Sequence, residues 1–566
     1  MTTQPRATTE AHTTVDLLVI GSGTGMAAAL AASELGLSTL IVEKTPYVGG
    51  SMAKSGGAFW IPANPILRRS GSPDSLEEAR RYLNAVVGDE SPVERVNSYV
   101  EHGSATIDML SRTTPMKFTW DEGYPDYHPE QPGGSVAGRT CECRPFDASV
   151  LGAHRKTLRP GILKPPIPMP ITGGDYRLIN LLVSFPRKAV PLVLKRVVQG
   201  VGGLLIGRRY VAAGQALSAG MYAGVLRAGI PVWTDTALAK LTVEGSRVTG
   251  AVLTRGGSTV TVAARRGVVL AAGGFDHRMD WRWKFQSESL GNQLSLGAEG
   301  NTGDGIQLAQ EVGADIALMD QAWWFPAIAP LPDSEPPMML SERSLPGSLL
   351  VDQTGSRFVN EACDYMSFGQ RVLQRERAGA PIEQMWLIFD QRYRNSYLMA
   401  GDLYPRMPIP RAWYDAGIAY CSDDFAGLAA QVGLPVDAFE ATMAHFNRMA
   451  ATGRDRDFNR GLSAYDWYYG DPTITPNPNL RPLQRGPFYA VKAVLSDLGT
   501  CGGLRADGHA RVLREDGTVI DGLYAIGNTA ANAFGTSYPG AGATIGQGLV
   551  FGYIAAHDAA ACHASS

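Results

Sequence analysis

The chain has few cysteines, little net charge and no long apolar run, and each shortage excludes a class of protein. Its six cysteines among 566 residues are scattered. The one close pair, Cys141 and Cys143, has no further ligand at a metal-site spacing, so we expect ordinary thiols in a reducing compartment and no metal. A net charge of −3 predicts no nucleic-acid partner. No apolar stretch reaches the roughly 20 residues of a spanning helix.

The N-terminal segment has a strand–turn–helix pattern that is typical of dinucleotide binding. Residues 16–20 predict a buried strand, residues 26–35 predict an alanine-rich helix, and a second strand, 38–42, ends at Glu43. The glycines of the turn are Gly21, Gly23 and Gly25. Because glycines have no side chain, a pyrophosphate can approach the backbone and the helix N-terminus closely. The acid accepts hydrogen bonds from the ribose hydroxyls. Met26 stands where the fingerprint has its third glycine, so Gly25 is expected to take over the packing role.

Further glycine-rich turns follow predicted strands or begin predicted helices near residues 50, 270, 301, 527 and 542. A second complete fingerprint, which a nicotinamide nucleotide would need, is missing. One extended FAD is therefore the expected cofactor, and it is expected to be bound without a covalent link because no histidine lies in 49–57. The predicted FAD contacts are Gly21, Gly23, Gly25, Glu43, Gly50, Ser51, Ser55, Gly56, Gly57, Ala272, Gly273, Asp304, Gly527, Asn528 and Ile545.

The order of these pieces predicts an α/β protein with a discontinuous nucleotide domain. Residues 1–319 and 496–566 are assigned to a Rossmann-like FAD-binding domain. Residues 320–495 are assigned to an inserted α+β catalytic domain. Helices are expected at 76–87 and 92–111, and residues 113–175 are expected to be irregular.

Residues 150–210 form a basic, apolar insert. Twelve Lys and Arg but one acid, Asp175, lie between Asp147 and Asp235. Apolar residues beside paired cations are typical of a helix that lies on an anionic membrane. The alternative is an insert packed on the protein's own surface with solvated cations. Residues 1–15 have no apolar signal region, so we expect a cytoplasmic protein associated peripherally with the inner face of the cell membrane.

Several motifs of the chain resemble those of known flavoproteins. Similarity to the fumarate-reductase-type flavoproteins rests on Gly49-Gly-Ser51, residues 267–275, Asn301-Thr-Gly-Asp-Gly305 and residues 521–528. Closer similarity, from about residue 14 to 556, is to the 3-ketosteroid Δ1-dehydrogenases. The motifs that carry it are Tyr124-Pro-Asp-Tyr127, Met319-Asp-Gln-Ala-Trp-Trp324, Ser496-Asp-Leu-Gly-Thr500 and Tyr538-Pro-Gly-Ala-Gly542.

The resemblance implies a reaction and a set of catalytic residues. A 3-keto-4-ene steroid would become a 1,4-diene-3-one, with hydride passing from C1 to flavin N5 and a proton leaving C2. The Tyr538 hydroxyl and the Gly542 backbone N–H are implied to bind the ketone oxygen. Tyr365 is implied to be the base at C2, assisted by Tyr127, since a free phenol with a pKa near 10 is a poor base.

Other functions stay open at this stage. They are a 3-oxo-5α-steroid 4-dehydrogenase, a fumarate-reductase-like flavoprotein, and a membrane-docked flavin protein without turnover. A dicarboxylate reductase needs Arg and His aimed at two carboxylates, whereas the motifs here present Tyr and Gly. An external electron acceptor, a quinone or another carrier, is expected. The basic insert favours membrane-dissolved sterols with a C17 side chain, such as 4-cholesten-3-one.

Overall fold

A largely parallel sheet organises the N- and C-terminal parts of the chain. The computed structural model describes residues 11–162, 165–291 and 294–561. Its strands are β1 (Ala11–Ile20), β2 (Thr39–Val42), β8 (Val232–Trp233), β9 (Thr236–Glu244), β10 (Arg247–Arg255), β11 (Ser258–Leu270), β19 (Arg511–Leu513) and β20 (Val519–Ala525). They run in the order β19-β20-β11-β1-β2-β8, with the β9–β10 hairpin attached to β11. β20, β11, β1, β2 and β8 are mutually parallel, and β19 is antiparallel to β20.

Helix α1 (Gly25–Glu34) crosses from β1 to β2 and is buried along most of its length. It packs between the sheet and α17 (Ala543–Ala561), which is equally apolar. Alanines and glycines dominate both helices, so the two backbones approach closely and the helices need no polar face. This β1–α1–β2 unit confirms the predicted dinucleotide-binding pattern.

A second, antiparallel sheet consists of β13 (Ala322–Ile328), β14 (Ser348–Asp352), β15 (Met385–Asp390), β16 (Ala419–Ser422) and β17 (Phe488–Thr500). Its order is β13-β17-β15-β14, with β16 also paired to β17. Helices α11 (Tyr365–Arg377), α12 (Gln391–Ser396), α13 (Arg411–Asp415), α14 (Phe425–Val432), α15 (Val436–Thr452) and α16 (Ala464–Tyr468) accompany these strands in the chain. The predicted division at residues 319 and 496 stays a prediction.

The remaining elements connect and cover these two sheets. Short strands are β3 (Ala58–Trp60), β4 (Phe118–Trp120), β5 (Thr140–Cys143), β6 (Phe146–Asp147), β7 (Tyr210–Val211), β12 (Ile316–Ala317) and β18 (Gly503–Leu504). The helices are α2 (Gly50–Lys54), α3 (Pro65–Arg69), α4 (Leu76–Val87), α5 (Val93–Thr113), α6 (Gly173–Asn180), α7 (Pro186–Leu205), α8 (Ala213–Arg227), α9 (Met279–Phe285) and α10 (Asp304–Gln310), with 3₁₀ turns at Ala148–Thr157 and Gly527–Thr529. None of the helices in the described ranges combines the length and the apolar composition that a membrane-spanning segment requires.

The expectation that residues 113–175 are irregular is wrong in part. β5 pairs with β3 and β4, and a 3₁₀ turn follows β6. These short strands have no clear sequence period, because pairing with distant segments rather than local propensity fixes them. β5 carries both close cysteines, and burial raises the pKa of Cys141 and Cys143 to about 12, so both are neutral thiols.

The loop between β4 and β5 is held by a buried arginine. The guanidinium of Arg139 forms ion pairs with Asp74, at 2.6 Å, and with Asp126. Asp126 also accepts bonds from the Trp60 indole N–H and the Ser135 backbone N–H. Burial raises the pKa of Asp126 to about 6, although Arg139 lowers it. The residue that follows Asp126 is Tyr127, so this network sets the position of that side chain.

Removing the arginine should destabilise the protein strongly. We expect Arg139→Met to lower the free energy of unfolding by about 3–5 kcal/mol, since two carboxylates stay buried without a counter-ion. The midpoint of urea denaturation measures the loss. Arg80→Met, which breaks an exposed pair with Glu101, is the control and should cost less than about 1 kcal/mol. Equal midpoints for the two variants would show that the Arg139 network does not hold the loop.

Candidate active site

A cavity of about 680 Å³ opens where the parallel strands end. Its wall includes Ile20 and Val42 at the ends of β1 and β2, Ala271 after β11, and Ile526 after β20. The carboxyl edge of a parallel sheet is where such folds bind ligands, because helix N-termini and loops converge there. The second sheet closes the other side with Phe325 of β13.

The structure brings nearly all of the predicted FAD contacts to this wall. The lining residues among them are Gly21, Gly23, Glu43, Gly50, Ser51, Ser55, Gly56, Gly57, Ala272, Gly273, Asp304, Gly527, Asn528 and Ile545. Gly25 is not among them and lies behind the turn. A β-carbon at Gly25 would come within 2.8 Å of Val19 Cγ1, so this glycine allows the close packing of α1 on β1.

The residues present fit a dinucleotide. A β-carbon at Gly23 would meet nothing closer than 3.7 Å, so the cavity extends to the backbone there. Gly23 and Thr24 line it directly before α1, whose unpaired N–H groups suit a pyrophosphate. The Glu43 carboxylate accepts bonds from Ser22 Oγ at 2.6 Å and Thr45 Oγ1 at 2.9 Å, which hold it at the cavity.

Further polar side chains around the cavity are also held by hydrogen bonds of their own. Lys44 Nζ lies 2.6 Å from Asp304 Oδ2, and Ser51 Oγ accepts bonds from the Asn301 amide and the Ala298 backbone N–H. The amide oxygen of Asn528 accepts a hydrogen bond of 3.0 Å from the indole N–H of Trp323. These side chains are therefore fixed in place without the cofactor, so little ordering is needed when it binds.

Three tyrosines predicted as catalytic meet at one end of the cavity. The ring centroids of Tyr127 and Tyr365 lie 5.4 Å apart, those of Tyr127 and Tyr538 5.1 Å, and those of Tyr365 and Tyr538 5.4 Å. Edge-to-face packing of this kind fixes the rings and directs each hydroxyl. All three side chains are buried and line the cavity.

Different parts of the chain supply these rings. Tyr365 begins α11, where the Asp364 side chain caps the helix through the Ser367 N–H. Tyr538 lies in the turn before α17. The carbonyl of the next residue, Pro539, accepts hydrogen bonds from the Tyr127 backbone N–H at 3.1 Å and from the Tyr82 hydroxyl at 2.7 Å. Gly542 also lines the cavity at φ 89°, and a β-carbon there would come within 2.3 Å of the Ala58 carbonyl oxygen, so only glycine fits.

Burial dominates the electrostatics of the three phenols. It raises the pKa of Tyr365 and of Tyr127 well above the ordinary value. For Tyr365 the neighbouring Tyr538 raises the pKa further, and the Tyr127 hydroxyl lowers it. The pKa of Tyr538 is also raised by burial, but the backbone N–H groups of Gly542 and Thr544 lower it. The Tyr127 hydroxyl has no hydrogen bond of regular geometry among the described residues. A buried hydroxyl in the wall of a cavity is a group that a ligand can satisfy.

Further tyrosines surround this cluster and were not predicted. The Tyr465 ring packs 4.8 Å from Tyr127, and the hydroxyls of Tyr124 and Tyr469 are 2.7 Å apart. Tyr124 stacks on Tyr468 with ring centroids 4.1 Å apart. The run Ala464-Tyr-Asp-Trp-Tyr-Tyr469 was the available sequence signal, because such a density of tyrosine is unusual for a surface helix.

Comparisons with known proteins identify the family to which the chain belongs. Residues 16–545 match the FAD binding domain family. The chain is 45% identical over 562 residues to 3-oxosteroid 1-dehydrogenase of Mycolicibacterium smegmatis, covering 97% of this chain and 98% of that protein. It is 43% identical over 551 residues to 3-oxosteroid 1-dehydrogenase of Mycobacterium tuberculosis, covering 96% and 97%.

A solved structure matches the whole fold. The 3-ketosteroid Δ1-dehydrogenase of Sterolibacterium denitrificans, solved with 1,4-androstadiene-3,17-dione, superposes with a TM-score of 0.90 at 35% identity, covering 98% of this chain and 100% of that one. The protein is thus an FAD-dependent oxidoreductase with a Rossmann-like α/β fold. Within that class it belongs to the 3-ketosteroid Δ1-dehydrogenase family.

The space at Gly23 predicts a cofactor-binding defect. Gly23→Val should leave the fold intact but abolish FAD binding, because its side chain would occupy the cavity beside α1. Flavin absorbance per protein measures the loss, and circular dichroism checks the fold. Gly202→Val is the control, since Gly202 lies in helix α7 outside the cavity wall, has no left-handed φ, and a β-carbon there meets nothing within 4 Å. Full flavin content in Gly23→Val would contradict the assigned position of the dinucleotide.

Proposed function

We propose that this protein dehydrogenates 3-ketosteroids between C1 and C2, converting a 3-keto-4-ene to a 1,4-diene-3-one. The observation that carries the proposal is the convergence of Tyr127, Tyr365 and Tyr538 in one buried cavity beside the dinucleotide wall. The relatives named above support the same reaction. When bound, oxidised FAD supplies the acceptor for the hydride that leaves C1.

The chain's own residues then have two tasks, which are to bind the ketone and to take a proton. Tyr538 and the Gly542 N–H stabilise negative charge that develops on the C3 oxygen, in the manner of an oxyanion hole. Donors that are already buried and oriented need no reorganisation as that charge appears. Tyr365 acts as its phenolate: its own proton leaves to solvent first, and the phenolate oxygen then takes the C2 proton, which the neighbouring ketone makes acidic, and becomes a neutral phenol again.

Tyr365 needs help to act as a base, because burial disfavours its charged form. Tyr127 stabilises the Tyr365 phenolate by donating a hydrogen bond to its oxygen, which lowers the pKa of Tyr365 and makes the base available before it takes the C2 proton. Its buried hydroxyl, without a regular partner of its own in the described structure, is free for this role. The proton passes to Tyr365 only when the substrate ketone is held, so base and oxyanion donors act together.

The cavity fits a neutral ketone better than a dicarboxylate. Among the described residues that line it there is no histidine, and Arg159 is already bound to Glu299 at 2.8 Å and to Thr45 at 2.7 Å. A dicarboxylate reductase would need free cationic donors at the reacting end. The electron acceptor is proposed to be external, a quinone or another carrier. We also propose a preference for sterols with a C17 side chain.

Anaerobic turnover tests the reaction directly. Mixing the yellow holoenzyme with 4-androstene-3,17-dione should bleach the flavin band and yield the 1,4-diene-3-one, identified by mass and ultraviolet spectra. A saturated 3-ketosteroid serves as one comparison, and fumarate added to enzyme reduced beforehand with dithionite serves as the other, because fumarate can only reoxidise a reduced flavin. Reoxidation by fumarate with no bleaching by the 4-ene would contradict the proposal. Formation of a 4-ene from the saturated ketone alone, or absence of bleaching with every steroid, would contradict it as well.

Deletion of one hydroxyl tests the oxyanion role. Tyr538→Phe should lower kcat at least about a hundredfold, the effect of losing one such donor, while flavin content is kept. The control is Tyr393→Phe, because Tyr393 is a buried tyrosine of the second sheet's core whose hydroxyl donates to the Glu342 carbonyl at 2.7 Å. That variant should keep its activity. Equal turnover in the two variants would remove Tyr538 from the mechanism.

A further inference from the structure

Helix α7 presents its aliphatic side chains to solvent and its small residues to the protein. The exposed face consists of Val190, Leu194, Val198, Val201, Leu205 and the following Ile206, with Leu194 59%, Val198 70% and Leu205 84% exposed. The intervals of three and four residues place these side chains on one side of the helix. We call this set the α7 face. A helix that only covered the protein's own core would have the opposite orientation.

The inward side of α7 is built for close contact. Ala189, Gly200 and Gly203 are buried there, and a β-carbon at Gly200 would come within 2.0 Å of the Pro168 carbonyl oxygen. Arg196 forms a double hydrogen bond with Asp175 of α6, at 2.7 and 3.1 Å, with both side chains largely buried. The helix is therefore fixed with its aliphatic side outward, and the exposure is a stable feature of the fold.

Cations without acids border the α7 face. Arg187, Lys188 and Lys195 are exposed, and residues 176–234 contain no Asp or Glu. Within the described ranges none of these three cations forms an ion pair with a carboxylate. Aliphatic side chains surrounded by unpaired cations match the interface of an anionic bilayer, where the side chains enter the headgroup region and the cations meet lipid phosphates.

The α7 face also adjoins an opening of the cavity. Pro166, Ile167 and Pro168 line the cavity and are exposed at the same time, so they mark such an opening. Pro168 contacts α7 at Gly200, and Ile167 adds a further exposed aliphatic side chain, 45% accessible. Farther inside, the same wall is formed by Thr172, which caps the start of α6, and by Tyr176 within that helix.

We propose that the α7 face docks on an anionic lipid bilayer and that apolar substrate enters the cavity from the bilayer past residues 166–168. The entry route rests on the proposed function, whereas the docking does not. A second copy of the chain fits the face poorly, because a symmetric contact would bring its cations against themselves. Location at the inner, anionic face of the cell membrane follows from the same chemistry.

Vesicle binding of the holoenzyme tests the docking. The enzyme should sediment with vesicles of phosphatidylcholine and phosphatidylglycerol in a 3:1 ratio at low salt, and high salt should weaken binding. Leu194→Gln together with Val198→Gln should lower the partition coefficient at least about tenfold, because two aliphatic side chains that would enter the bilayer are replaced by polar ones. The matched control is Val93→Gln with Leu462→Gln, at positions 62% and 78% exposed elsewhere on the surface, which should bind like the unmodified enzyme.

Activity separates the docking from the catalytic function. Both double variants should oxidise dissolved 4-androstene-3,17-dione at the normal rate, and the α7 variant alone should lose rate on 4-cholesten-3-one embedded in the vesicles. Normal turnover without any sedimentation would overturn the docking and leave the function standing. Sedimentation without turnover of either steroid would overturn the function alone. A dimer that depends on Leu194 and Val198, with no vesicle binding, would assign the face to a second copy and also overturn the docking.

Discussion

Burial of phenol groups in contact with one another is the constraint on which the site depends. Tyr127, Tyr365 and Tyr538 lose water without gaining a charged partner, so the pKa of each is raised and the neutral phenol is the favoured form. Neutral phenols can donate hydrogen bonds to a ketone, which a carboxylate could not do. The same burial makes proton removal difficult unless a second phenol stabilises the charge. One cluster thus provides both the donor for the ketone oxygen and a base whose ionisation is tied to substrate binding.

The surrounding fold holds this cluster from three directions. The Arg139 network fixes the loop of Tyr127. The Pro539 carbonyl accepts one hydrogen bond from Tyr127 in that loop and one from Tyr82 of α4, which tie the turn of Tyr538 to both. Tyr365 is set by the capped start of a helix packed on β13 of the second sheet. Because the parallel sheet supplies the dinucleotide wall and the antiparallel sheet supplies Phe325 and the helix of Tyr365, the reacting end lies between the two sheets.

The strand–turn–helix unit was predictable from sequence because local glycines and a buried apolar run encode it. Helix α4 was predicted to the residue, since it is amphipathic and begins at a serine cap. The predicted site residues lie together in one cavity apart from Gly25, although their individual roles remain predictions. The short strands β3–β5, the Arg139 network and the outer tyrosines were not predicted. They depend on contacts between segments that are far apart in the chain, and the local periodicity of apolar residues does not reveal such contacts. The orientation of α7 could not be predicted from the sequence either, because the composition of this helix suits an apolar face that points inward as well as one that points outward.

Exchange of the C2 hydrogen tests the central claim most directly, because it isolates proton removal from oxidation. Holoenzyme with reduced flavin would be incubated with 4-androstene-3,17-dione in D₂O, and deuterium located by mass spectrometry and NMR. The account predicts enzyme-dependent deuterium at C2 that is lost in Tyr365→Phe and Tyr538→Phe but kept in Tyr393→Phe. Exchange that persists at the full rate without the Tyr365 hydroxyl would contradict it.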